Sequence, residues 1–382
     1  MNLRQPTVWA VRLTLVICMF LLVCQGIRLN QSLGEVSLED YLVWEFATAE
    51  DRCDKTDSTD VMLAIILAPT PGTPNTAIIS SLGAMTRNDA ELCDNEGNRL
   101  RITMACPTGS IDTTGLQKLS EKVIESGGEV ECLLRSADLS DSDTAKSLGR
   151  FISHLQNMGW AITSDSLTRF AVLFDDDTIA EAGLHRKSGS IIRELVSAGC
   201  FADLSSVNSA DEGLMLNSIY TAFPEGLRSG IGTHHGTARM NRTGGRGLLR
   251  ICGPTVVNWT RLNDMFLPCI ETGVIDSAHS PGSHSAENWL RADVHVNGQP
   301  NWKFIKLIIE CHADSGHRND VIVRAESALK HLHSLCDQED CCRLHFVTAR
   351  EMANIAYAAS SGECGDASRY RDYLVKPYCA SE

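Results

Sequence analysis

The chain has 382 residues, enough to bury a large core in one big domain or roughly two. With 43% hydrophobic and 21% charged residues, its composition argues against a disordered, collagen-like or multi-span membrane protein. A formal net charge of -14 argues against a nucleic-acid partner, since phosphate binding needs a basic face, and an acidic surface also repels anionic lipid.

The N-terminus has the order of charges and apolar residues of a secretory signal. Arg4 supplies a positive start, and Arg12 precedes the apolar run Leu13 to Cys24. That run is shorter than the roughly 20 residues of a membrane span and suits a signal core. A stretch of this length is also compatible with a buried core helix. We expect residues 1–26 to be a signal peptide or membrane anchor and 27–57 a linker. The domain, 58–382, would then lie outside the cytoplasm and touch a membrane only through that segment. Asn30, Asn241 and Asn258 begin glycosylation sequons, relevant only in a eukaryotic secretory pathway. The 15 cysteines include no CxxC pair. Cys336, Cys341 and Cys342 lie near His331, His333 and His345, but without the paired spacings of a zinc site. We read His331 and His333 as part of a polar helix and the cysteines as the turn after it.

Strands and helices then alternate. Val61 to Leu67 is a continuous apolar strand ending before Pro69, Pro71 and Gly72, and Leu100 to Ala105 is a second strand. Thr113 to Ser126 carries Leu116, Leu119, Val123 and Ile124 at helical spacing, Gly127-Gly128 stops it, and Glu129 to Leu134 is a strand. This βαβ pattern predicts parallel pairing. It continues with a helix over Thr144 to Met158, a strand over Phe170 to Phe174 and a helix over Ser188 to Ala198. After the lapse described next, it resumes as a strand over Trp302 to Ile309, a helix over Asp320 to Leu335, a strand over Leu344 to Val347 and a helix to Ala359. Between residues 205 and 300 the alternation lapses into a stretch rich in Gly, Ser, Asn and His. There we expect long binding loops and a small β-hairpin.

Three groups carry candidate chemistry. Asp175, Asp176 and Asp177 follow the strand Phe170 to Phe174, and catalytic groups of parallel α/β folds sit at the carboxyl ends of strands. Neighbouring carboxylates can hold a divalent metal or divide into acid and base, or can form a solvated turn. Glu310, His312 and Asp314 follow the strand Trp302 to Ile309 and suit proton transfer or metal binding; a polar loop is the alternative. His234 and His235 are adjacent, so an extended chain turns them to opposite faces, as in a surface loop. Trp259 and Trp289 could stack on sugars, although tryptophan is more often buried.

Several ordered segments carry a resemblance. They are Glu194 to Asp203, Asn217-Ser218-Ile219-Tyr220, Gly253-Pro254 with Asn258-Trp259, Trp302 to Leu307, Val347 to Ile355, and Tyr370-Arg371-Asp372-Tyr373. Together they resemble bacterial proteins related to polysaccharide deacetylases of the NodB type. The resemblance implies a distorted parallel β/α barrel of the glycoside hydrolase/deacetylase kind, with an open doubly wound sheet as the alternative. It also implies carbohydrate chemistry, the metal-assisted removal of acetyl groups. On this reading Asp175, Asp176, Glu310 and His312 are the catalytic candidates, and Trp259, Trp289, His234, His235 and Arg350 the binding ones. The cofactor would be a divalent metal and the partner a carbohydrate. A non-catalytic carbohydrate- or protein-binding relative is the alternative. The resemblance implies HLHH where this chain has Val130 to Arg135 and KLHTHG where it has Lys306 to Cys311, so on this expectation the metal-site histidines are replaced.

Other segments have structural readings. Thr348-Ala349-Arg350-Glu351 has the form of a capping box, with Met352, Ile355, Ala356 and Ala359 as the buried stripe. Gly199 fits the position just after a helix, and Arg350 and Asp372 are expected to pair across the surface.

Overall fold

The computed structural model describes residues 58–85, 92–108, 113–135, 141–159, 163–164, 167–174, 184–205, 217, 219–222, 228–229, 247–262, 268–276, 279–296, 299–312, 315–338 and 342–377. The expected signal, anchor and linker lie outside them. The first half alternates: β1 (Thr59–Pro69), α1 (Asn75–Met85), β2 (Ile102–Pro107), α2 (Thr113–Glu125), β3 (Glu129–Leu134), α3 (Asp141–Asn157), the short β4 (Thr163–Ser164) and β5 (Leu167–Thr168), β6 (Phe170–Phe174), α4 (Leu184–Ala198) and β7 (Cys200–Asp203). Short strands follow, β8 (Ile219–Ala222), β9 (Arg228–Ser229), β10 (Leu248–Ile251), β11 (Thr255–Leu262), β12 (Pro268–Thr272) and β13 (Val274–Ile275). Then come α5 (Ser285–Arg291), β14 (His295–Val296), β15 (Gln299–Cys311), α6 (Ser315–Gln338), β16 (Cys342–Val347), α7 (Ala349–Ser360) and a 3-10 turn at Ala367–Tyr370.

The main sheet runs β13-β15-β1-β2-β3-β6-β7-β10-β8-β9 and is parallel from β13 to β10. One edge of β1 serves two neighbours in succession. Thr59 to Ala64 pair with β16, and Ile65 to Leu67 pair with β2. The expected 205–300 loops include an antiparallel β11–β12 hairpin, and β10 and β13 join the main sheet.

From Val61 to Pro69 β1 is apolar because both faces of the sheet are covered. Val61, Leu63, Ile65 and Leu67 face one core with residues of α1 to α4 and α6. Met62, Ala64, Ile66 and Ala68 face the other, which contains α7. Small residues recur on this second face, Ala64, Ala105, Ala171 and Ala202, opposite Ala349, Ala353, Ala356 and Ala359 of α7. Alanine against alanine lets a helix lie deep inside a curved sheet.

The curl is shown by Lys306, which is 1% exposed on β15. Its Nζ donates to Ser205 O at 2.6 Å, just past β7, and to Ile251 O at the end of β10. In a flat sheet, five strand spacings of about 4.8 Å each would separate β15 from β7, far beyond one lysine side chain. The sheet therefore bends into a half-barrel around α7, an α/β architecture consistent with a distorted β/α barrel.

Candidate functional site

All the parallel strands point their carboxyl ends to one edge. There, residues two apart share a face, so Lys306, Ile308 and Glu310 all turn to the concave side. Ile308 belongs to the core on that side, and Glu310 is in register with Ala68, which faces the same core. Lys306 and Ile308 are buried, whereas Glu310 and His312 emerge at the rim, each side chain 26% exposed. His312 Nε2 lies 3.8 Å from Glu310 Oε2 and has no hydrogen-bond partner among the described residues.

The rim around this pair is held by backbone capping. Thr70 N and both hydroxyls, Thr70 Oγ1 and Thr73 Oγ1, donate to Cys311 O, at 3.0, 3.0 and 2.7 Å. Arg135, directly after β3, donates from Nη2 to Pro69 O at 2.7 Å. Thr108, directly after β2, has a buried hydroxyl without a partner among the described residues. At the end of β7, Asp203 accepts from Ser205 Oγ at 2.6 Å and from Arg250 Nε at 2.8 Å. Burial opposes ionisation of Asp203, but the Arg250 charge and the Ser205 hydrogen bonds outweigh it and hold the carboxyl below its ordinary range.

The sequence candidates are distributed unevenly. Glu310 and His312 are brought together. Asp175, Asp176 and Asp177 follow β6, whose carboxyl end lies on the same edge, but they fall outside the described residues, as do His234, His235 and Asp314. Trp259 lies on β11 with its side chain outside the description. Trp289 is 2% exposed and packed in the helix-side core, so it offers no face to a sugar. Arg350 sits at the opposite, amino end, and it is buried rather than superficial.

At that amino end Arg350 Nε donates to Glu129 Oε1 at 2.6 Å, and its Nη1 donates to Asp372 Oδ1 and to the carbonyls of Arg371 and Val375. Glu351 pairs with Arg101 and Arg371 at 2.7 and 3.0 Å. Asn354 donates to the carbonyls of Arg371 and Val375 and accepts from the backbone N–H groups of Leu374 and Val375. The resembling segments Val347 to Ile355 and Tyr370 to Tyr373 thus hold each other, and their polar residues fix the last segment of the chain under the sheet. Asn217 and Gly253, from two further resembling segments, also meet. Asn217 grips the Thr255 backbone at 2.7 and 2.8 Å, and a Cβ on Gly253 would come within 2.4 Å of its Oδ1. Asn258 is buried and bonded to Glu271 at 2.9 Å, which closes that sequon in the folded chain.

At the carboxyl edge the described residues fit a metal poorly. A catalytic zinc takes three protein ligands, whereas Glu310 and His312 have no third histidine, cysteine or carboxylate grouped with them among the described residues. What this pair can do is exchange protons with a bound substrate.

No family model matches the chain, and no curated protein matches it. Among solved structures it is similar to one titled a "putative polysaccharide deacetylase" from Mycobacterium smegmatis, with a TM-score of 0.40 and 11% identity, covering 80% of this chain and 93% of that one.

Proposed function

We propose that the chain acts on acetylated carbohydrate outside the cytoplasm, as a polysaccharide-deacetylase-like hydrolase whose working edge is the carboxyl end of the curled sheet. The observation that carries this reading is the Glu310–His312 pair. A carboxylate and an imidazole lie 3.8 Å apart at the rim of a strand that is otherwise mostly buried, and the imidazole Nε2 has no hydrogen-bond partner among the described residues. The resemblance of the ordered sequence segments to deacetylase relatives supplies the substrate class.

In the proposed chemistry Glu310 takes a proton from a water molecule as its oxygen attacks the acetyl carbonyl carbon. The C–N or C–O bond to the sugar breaks, His312 donates a proton to the departing nitrogen or oxygen, and acetate leaves. General acid–base groups of this kind contribute about 10²–10⁴-fold in rate. Acetate release from a panel of N- and O-acetylated oligosaccharides tests the reading. We expect release by the purified chain and a fall of about a hundredfold or more in Glu310→Gln and in His312→Ala, with circular dichroism unchanged. Saturable binding without acetate release would instead select the non-catalytic carbohydrate-binding reading.

A further inference from the structure

The amino end of the sheet, opposite Glu310 and His312, carries a second cluster of different composition. His345 of β16 is 2% exposed, and its Nε2 lies 3.0 Å from the buried carboxylate of Asp60. A carboxylate only accepts, so this contact places a ring proton on Nε2 and leaves Nδ1 as the nitrogen open to a second proton or to a metal ion. Nδ1 is buried without a hydrogen-bond partner among the described residues and faces Glu96 Oε1 at 3.7 Å. Nδ1 held against a carboxylate oxygen calls for a positive centre between them, a proton or a metal ion.

Charge counting gives the same answer. Asp60, Asp94, Glu96 and Asp366 gather around His345. Among the described residues the cations facing them are Arg343, with Nε 2.8 Å from Asp60 Oδ1, and Arg371, with Nη2 3.2 Å from Glu96 Oε2 and 3.5 Å from Asp94 Oδ2. Four carboxylates against two guanidinium groups leave a deficit of two positive charges with His345 neutral. Adding Glu351, which shares Arg371 and pairs with Arg101, leaves that deficit unchanged.

We propose that Asp94, Glu96 and His345 bind one zinc ion. Their ligand atoms lie within 4.8 Å of one another. One imidazole and two carboxylates are ordinary zinc ligands. Asp60, behind the ring, is the outer carboxylate that fixes the tautomer of a metal-binding histidine. Asp94 is held in place by the backbone N–H groups of Glu96, Asn98 and Phe346, at 3.0, 2.8 and 3.1 Å. Glu96 stands on an exposed turn and gives the ion access from solvent. Because His345 also stands against the segment that begins at Asp366, zinc would fasten β1, β16, the 94–98 turn and the chain's last segment at one point. This site is independent of the carbohydrate chemistry proposed above.

The test is zinc binding by the full chain, stripped with chelator under a phosphine reductant, dialysed against zinc and read by elemental analysis and X-ray absorption. We expect one zinc with an imidazole nitrogen and oxygen ligands, and a rise in melting temperature. Glu96→Gln, at a solvent-facing position where folding is least disturbed, should weaken binding at least tenfold, and His345→Gln more. Glu310→Gln and His312→Ala should leave zinc binding unchanged. No retained zinc, sulfur-dominated ligation, or wild-type affinity in Glu96→Gln would overturn the proposal.

Discussion

At the scale of single residues, two buried ionisable groups show how far the concave face departs from an ordinary core. Glu131 on β3 is buried, and desolvation followed by repulsion from Glu129 pushes its carboxyl well above the ordinary range. A carboxyl whose pKa is higher in the folded chain binds protons more tightly there. Its contribution therefore favours the fold below the unfolded pKa and is lost as pH rises through the folded one. Glu131→Gln keeps an acceptor for the Ala171 N–H and removes this loss. We expect it to raise the melting temperature more at pH 8 than at pH 4, measured by thermal denaturation. Arg350 is the converse case. Removing it strands Glu129 in the interior, and breaking a buried pair costs about 3–5 kcal/mol. Urea denaturation should show a loss of that order in Arg350→Ala. The sequence predicts a surface pair of Arg350 with Asp372, and the two are paired at 2.6 Å. It gave no sign that Arg350 is buried, because its counter-charge Glu129 lies on a strand 221 residues away.

At the scale of the element, α7 is where local pattern and tertiary placement diverge most. Its start was legible: Thr348 caps the helix, accepting from Glu351 N at 3.3 Å, while the Glu351 side chain accepts from Thr348 N at 3.1 Å. Thr348→Ala should cost about 0.5–2 kcal/mol in a chemical denaturation series. Its surroundings were not legible. Arg350, Glu351 and Asn354 look like a solvent face, yet all three are buried, because the chain's own last segment covers them. The apolar side is alanine-rich because the helix lies inside the curl. Ala353→Leu should therefore overpack it and cost about 1–3 kcal/mol by the same measurement. The strands were legible for the opposite reason. β3 and β6 are bounded by glycines or by polar residues and have the predicted limits. β7 was read only as part of a resembling segment, since four residues after a glycine give too little periodicity to mark a strand. Cys336 likewise belongs to α6 rather than to the turn beyond it, because the helix runs on to Gln338.

For the whole molecule, the two ends of the curled sheet have different roles. The amino end is dense with ion pairs that tie α7 and the last segment to β1, β3 and β16. The carboxyl end brings Glu310 and His312 to its rim. The rule that chemistry gathers at the carboxyl ends of parallel strands made that pair visible in the sequence. The amino-end cluster escaped notice because Asp60, Asp94, Glu96 and His345 are scattered along the chain and converge only through the β1–β16 pairing. The central claim is that carbohydrate engages the carboxyl edge. Amide hydrogen exchange of the full chain with and without a saturating acetylated oligosaccharide tests it most directly. The account predicts slowed exchange at residues 68–73 and 309–312 and beside Arg135, with no change at residues 94–98 or 366–373. Protection confined to the amino end, or none at any saturating concentration, would contradict it.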